Sequence, residues 1–167
     1  MIFMGKQFSQ EELNLNNPAY VGTLLYQSVR EYQDKSQSGM HCGLIYLVAP
    51  LSISVRYLEI LPKNISPSIS SWAKQYEGEL SGFPESVFAY ADIVNSSIAF
   101  LLQREMLVLD DMGYFHLSDS STLPKRPDYV RNDIRFNRSY LSAGLLGRWF
   151  SQAAAVESVY AQLGIRP

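Results

Sequence analysis

The sequence predicts a mainly α-helical fold that carries one small β-hairpin. Apolar residues recur at three- and four-residue steps through most of the chain, as expected of helices with one buried side. One segment breaks that rule. Met106-Leu107-Val108-Leu109 runs into Asp110-Asp111-Met112-Gly113 and then Tyr114-Phe115-His116-Leu117, two apolar runs joined by residues that supply a tight reversal. Short helices followed by a two-stranded hairpin give the order helix, helix-turn-helix, wing. Residues 17–117 are therefore expected to form a winged-helix-like domain, followed by carboxy-terminal helices.

Residues 1–16 read as a polar N-terminal arm rich in Asn, Gln and Glu. Asn17-Pro18 then supplies an N-cap and a proline at the first helical position. Val21, Leu24, Leu25, Val29 and Tyr32 give that helix one buried face as far as about 34–36. The run 44–51 suits a helical stripe or a buried strand; Pro50 favours a short helix, a break and a second helix over 55–61. Ser66 or Ser68 can cap a helix through Ile69, Trp72, Ala73 and Tyr76. One helix, or two with a turn at Asn95-Ser96-Ser97, spans 85–104, with Val87, Ala91, Val94, Ile98, Leu101 and Leu102 on its apolar face. After the hairpin, residues 118–130 form a linker containing Pro124 and Pro127. Residues 131–167 form a helical docking segment. It has a long helix over 132–150 with Ile134, Leu141, Leu145 and Trp149 on one side, and a shorter helix over 156–163 ending at Gly164.

At 167 residues and 47% apolar composition, the chain can bury a core as one domain. Only 18% of its residues are charged and the net charge is −2, so little repulsion opposes association. The alternative is an ordinary soluble monomer. A single cysteine, Cys42, excludes an internal disulfide and points to a reducing compartment. The opening residues lack a signal-peptide core, and the longest apolar run falls far below the roughly twenty residues of a membrane helix. The expectation is a cytoplasmic protein with no membrane contact. Charge is uneven: up to Leu123, seven Lys/Arg face thirteen Asp/Glu (−6), and from Lys125 onward seven face three (+4). An acidic body with a basic end suggests two different contact surfaces.

No pattern points to catalysis. His41-Cys42 is poor ligand geometry, and His116 with no second cysteine cannot complete a four-ligand set. Asp110-Asp111 reads as a turn former rather than an acid pair. The chain holds no phosphate-cradling glycine loop, nucleophile elbow or zinc-protease motif. No cofactor or metal is expected. Arg131, Arg135 and Arg138 fall at i, i+4 and i+7, a basic stripe on one helical face. An acidic protein surface is its first expected partner; a solvated face and then phosphate follow, since a dedicated DNA binder is usually strongly basic.

The carboxy-terminal end is the most informative stretch. Arg148, Trp149, Phe150, Tyr160 and Arg166 occur where chain ends are usually polar and frayed, and these residue types dominate cores and interface centres. They are candidate protein-interface residues, holding the last helices onto the domain or in a partner groove.

Several blocks together resemble a known family. They are Asn17-Pro18-Ala19, the 44–51 run with Pro50, Leu101-Leu102 with the Leu107-Val108-Leu109-Asp110-Asp111-x-Gly113 hairpin, and Leu146-Gly147-Arg148-Trp149-Phe150 with the closing Val159-Tyr160-Ala161-x-Leu163-Gly164-Ile165-Arg166-Pro167. Over about 17–167 the chain resembles the middle components of bacterial three-component ABC-ATPase systems, whose relatives include the Lamassu anti-phage systems. The resemblance implies a small non-catalytic subunit encoded beside a Rad50/SMC-like ABC ATPase and an effector, often a nuclease. The subunit would link the two, and DNA would be met through the complex. A winged-helix DNA-binding regulator is the alternative. Where relatives carry a Pro/Thr cap before the helix leading into the hairpin, this chain has Val94-Asn95-Ser96, in which Asn95 or Ser96 can cap.

Overall fold

A computed structural model describes residues 17–119, 123–153 and 155–166; the N-terminal arm and residues 120–122 of the linker lie outside the described residues. The fold is mainly α-helical with one small antiparallel sheet. Helix α1 (Pro18–Ser36) runs into strand β1 (Met40–His41), then α2 (Cys42–Ile53), α3 (Val55–Leu58), α4 (Ile69–Gln75) and α5 (Phe83–Gln103). The hairpin β2 (Leu107–Leu109) and β3 (Tyr114–Leu117) follows, and α6 (Asp128–Arg131), α7 (Ile134–Phe150) and α8 (Val156–Gln162) close the chain.

Helix α1 is the axis of the molecule. Asn17 caps it, its side chain accepting from the Ala19 N–H at 2.9 Å. Buried residues continue from Val21 through Arg30, so this helix is covered nearly all round rather than on one face. It packs against α7, α5, α2 and the sheet, and α2 in turn touches both α5 and α7. Helices α5 and α7 hardly meet each other; they flank the α1–α2 pair.

The hairpin forms where expected. Asp110 shapes its turn by accepting from the N–H groups of Met112 and Tyr114, each at 2.9 Å, and Gly113 takes a φ of +86° that disfavours other residues. The sheet gains a third member the sequence reading did not contain. Strand β1 pairs with β3, Met40 opposite Phe115 and His41 opposite Tyr114, giving the order β1-β3-β2.

The helices resolve four expectations, two of them as corrections. Helix α2 runs through Pro50 to Ile53 and the break falls at Ser54, because a proline there costs one hydrogen bond while seven other residues of the helix stay buried. Of the two alternatives for 85–104 the single helix α5 holds: Ser97 points its hydroxyl back to the Ile93 carbonyl at 2.6 Å instead of opening a turn, so the Asn95-Ser96 cap is not used. The long last helix forms as expected, from Ile134 to Phe150 with Asp133 as its cap, and Arg131 lies before it in the separate turn α6. Finally, α7 buries Phe136, Tyr140, Ala143, Leu146, Gly147 and Phe150 along with Trp149, whereas Ile134 and Leu141 face outward.

Candidate interaction surface

The carboxy-terminal helices are held by a close approach between α7 and α1. A Cβ on Gly147 would collide with the Ser28 carbonyl oxygen, so only glycine lets the two backbones lie this near. Beside this contact runs a buried polar chain. Arg30, 8% exposed, donates through Nε to Gln27 Oε1 at 2.9 Å, through Nη1 to the Leu123 carbonyl at 2.8 Å and through Nη2 to the Tyr140 hydroxyl at 2.6 Å. Tyr140 passes its own proton to the Lys125 carbonyl at 2.6 Å. A guanidinium bound this way has its donors satisfied without a carboxylate, and it clasps residues 123–125 onto the helices. At the outer edge Arg148 pairs with Glu31 at 3.2 Å, joining α7 to α1 again.

The structure divides the candidate interface residues into two groups. Trp149 and Phe150 are each 1% exposed. The Trp149 indole N–H donates to the Pro67 carbonyl at 2.7 Å, and its ring meets Trp72 edge-on at 5.2 Å between centroids. These two side chains are core of this chain, and the interface reading does not hold for them. The Tyr160 hydroxyl donates to the Gly43 carbonyl at the start of α2, and burial pushes its proton affinity up. Val159, Leu163 and Ile165 are buried alongside. The docking segment thus docks on its own domain. Arg148 is half-exposed, and Arg166 is exposed.

The basic stripe is only partly a stripe. Arg131, Arg135 and Arg138 are all exposed, but Arg131 lies in α6, where it donates to the Arg126 carbonyl at 3.2 Å and sits 3.6 Å from Asp128. What the spacing did not reveal is the company these residues keep. Ile134 is 87% exposed, and Leu141 and Tyr129 are 53% exposed, so apolar side chains alternate with the arginines along the outside of α6 and α7. The available signal was Ile134 itself, set between Asp133 and Arg135, while residues 136, 140, 143, 147 and 150 offered a better buried stripe.

A second uncovered face lies on α5. Phe88 is 78% exposed, with Glu85 and Asp92 one turn to either side, and Ala89, Ser96 and Ala99 continue the exposed side. By length and composition α5 could cross a membrane, yet here it packs on α1 and α2 and shows two carboxylates on its outer side.

Both histidines are occupied locally. His41 Nδ1 accepts from the Gly43 N–H at 3.0 Å, which makes it the cap of α2. His116 pairs with Asp110 at 2.7 Å; the Tyr114 N–H first, and then His116, hold the Asp110 carboxyl below its ordinary range. Among the described residues no group of three or more His, Cys, Asp or Glu is gathered as a metal would need. A serine-lined groove of about 360 Å³ between Ser68, Gln152 and Ser158 holds no titratable side chain.

The described residues thus present two uncovered faces, one on α5 with Glu85 and Asp92 around Phe88 and one on α6 and α7 with arginines near Ile134 and Leu141. Residues 5–167 match the family described as ABC-three component (ABC-3C) system Middle Component 3, and the chain belongs to that family. Comparisons with curated proteins and with solved structures give no match.

Proposed function

We propose that this chain is a non-catalytic adaptor subunit that links a Rad50/SMC-like ABC ATPase to an effector in a cytoplasmic anti-phage or anti-plasmid defence complex of the Lamassu kind. Membership of a middle-component family makes the other components of the system its natural partners. The observation that carries the linking role is the pair of uncovered faces on helices α5 and α7. One face is acidic and apolar, the other basic and apolar, and the α1–α2 pair stands between them. A linker of two partners needs two separate surfaces, and opposite charge keeps each partner from the wrong one.

The second reading is a winged-helix DNA-binding regulator. The order α1-β1-α2, then α5 and the hairpin, with sheet order β1-β3-β2, favours a winged-helix-like body. Charge argues against reading DNA: the wing tip is Asp110-Asp111, and the exposed carboxy-terminal half of α5 offers Asn95, Ser96 and Gln103, with Arg104 as the sole cation. Affinity purification of the tagged chain, co-expressed with the ATPase and effector encoded beside it, tests the proposal. Recovery of both is expected. Recovery of neither, with a salt-sensitive shift of duplex DNA by the chain alone, would favour the regulator.

A further inference from the structure

We propose that the outer face of α6 and α7 is the seat of an acidic amphipathic helix belonging to another component of the system, an inference that rests on the adaptor reading. Ile134, Arg138 and Leu141 fall at i, i+4 and i+7 and therefore share one face of α7. Half-buried Leu145 continues the line until Trp149, where Pro67 and Trp72 cover it. The line is thus covered by this chain at its carboxy-terminal end and bare over its first two turns.

The bare part is rigidly presented. Tyr20 stacks on Phe136 at 3.9 Å between centroids, Tyr129 leans over Phe136 at 6.0 Å, and Asp133 caps the helix at the Phe136 N–H. Arg126 is fixed to Asn137 by bonds of 3.0 and 2.6 Å, so the basic rim is fixed as well. A preorganised surface loses little conformational entropy on binding.

The chemistry selects the occupant. Arg138 lies on the apolar line, Arg131 and Arg135 are exposed within three residues of Ile134, and residues 125–167 carry +4 overall. That calls for a partner with carboxylates. Phosphate would satisfy the cations equally, but a nucleic-acid backbone gains nothing from desolvating Ile134 and Leu141. Apolar anchors inside a charged rim are the anatomy of a protein interface. A line spaced at three and four residues accepts another helix laid along it, apolar side down, with Asp or Glu on both flanks.

The test uses the co-expressed ATPase, effector and full-length chain. The double variant Ile134→Ser, Leu141→Ser and the single variant Arg138→Glu are compared with wild type for component retention, melting temperature and binding of a duplex DNA. All three substituted positions are exposed, so melting within about 2 °C of wild type is expected. Each variant should weaken retention of at least one component by about tenfold or more. Normal retention of both components by the folded double variant would overturn the inference and leave the adaptor role standing. Loss of DNA binding in Arg138→Glu alone, with components retained, would assign the face to phosphate instead. Failure of wild type to hold either component would overturn both readings.

Discussion

Replacing Trp149 by alanine should destabilise the fold of this protein rather than merely release a partner. The indole is 1% exposed, donates to the Pro67 carbonyl at 2.7 Å and packs edge-on against Trp72. Truncating a buried aromatic side chain to alanine costs about 3–5 kcal/mol in transfer and cavity terms. The orphaned Pro67 carbonyl and the lost ring pair fall partly within that range, so about 4 kcal/mol is the working figure. For a domain of this size each kcal/mol moves the melting temperature by about 2–4 °C, which puts the loss near ~10 °C. Trp149→Phe keeps most of the apolar contact and loses the N–H, and should cost about 1–2 kcal/mol. Urea unfolding followed by far-ultraviolet circular dichroism reads both without interference from Trp72. An alanine variant as stable as wild type would refute the placement of this side chain in the core, all the more if it had lost its partners.

Three further outcomes follow from the packing and the buried polar groups. Gly147→Ala should destabilise the fold by about 3 kcal/mol or more, because backbone meets backbone there and neither helix can yield cheaply. Gly78→Ala, with nothing within 4 Å of the new carbon, is the control and should be neutral; equal effects in the same thermal melts would contradict the α1–α7 contact. Arg30→Met should cost about 2–4 kcal/mol and expose the chain near Lys125 and Arg126 to trypsin, since Tyr140 and the Leu123 carbonyl lose their donor. Unchanged cleavage there would rule out the clasp. Burial pushes the Tyr20 proton affinity up to about 12, with the Asp133 charge adding to it. A raised folded value means stability is complete below pH 10 and is lost as pH climbs from 10 toward 12. Tyrosine absorbance at 295 nm should therefore rise together with loss of helix, and full ionisation of all tyrosines near pH 10 with helicity intact would contradict the burial.

Local signals in this sequence were strong and tertiary ones weak. Asn17-Pro18, Ser68 and the Asp110–Gly113 turn each act through a hydrogen bond or backbone angle within four residues, and each formed as expected. Trp149, Phe150 and Tyr160 all pack within this chain, but a buried tryptophan and an interface tryptophan have the same local sequence. Only the meeting with Pro67 and Trp72, some eighty residues away, separates them. The period of α7 was misassigned because Ile134, Leu141 and Leu145 outrank Gly144 and Gly147 in hydrophobicity. Packing against α1 rewards the small residues instead, because they let the helix backbones approach. Strand β1 is two residues long and exists through its pairing with β3, so no periodicity could announce it. The Arg30 clasp joins residues more than ninety positions apart and left no local trace.

The central claim is that this chain bridges two other proteins. Its most direct measurement is the dissociation constant between the co-encoded ATPase and effector, taken with and without this chain in solution. The account predicts that the two associate at least tenfold more tightly when it is present, roughly the weakest coupling worth the name of a bridge. Equal affinity in both cases would show that nothing is being bridged.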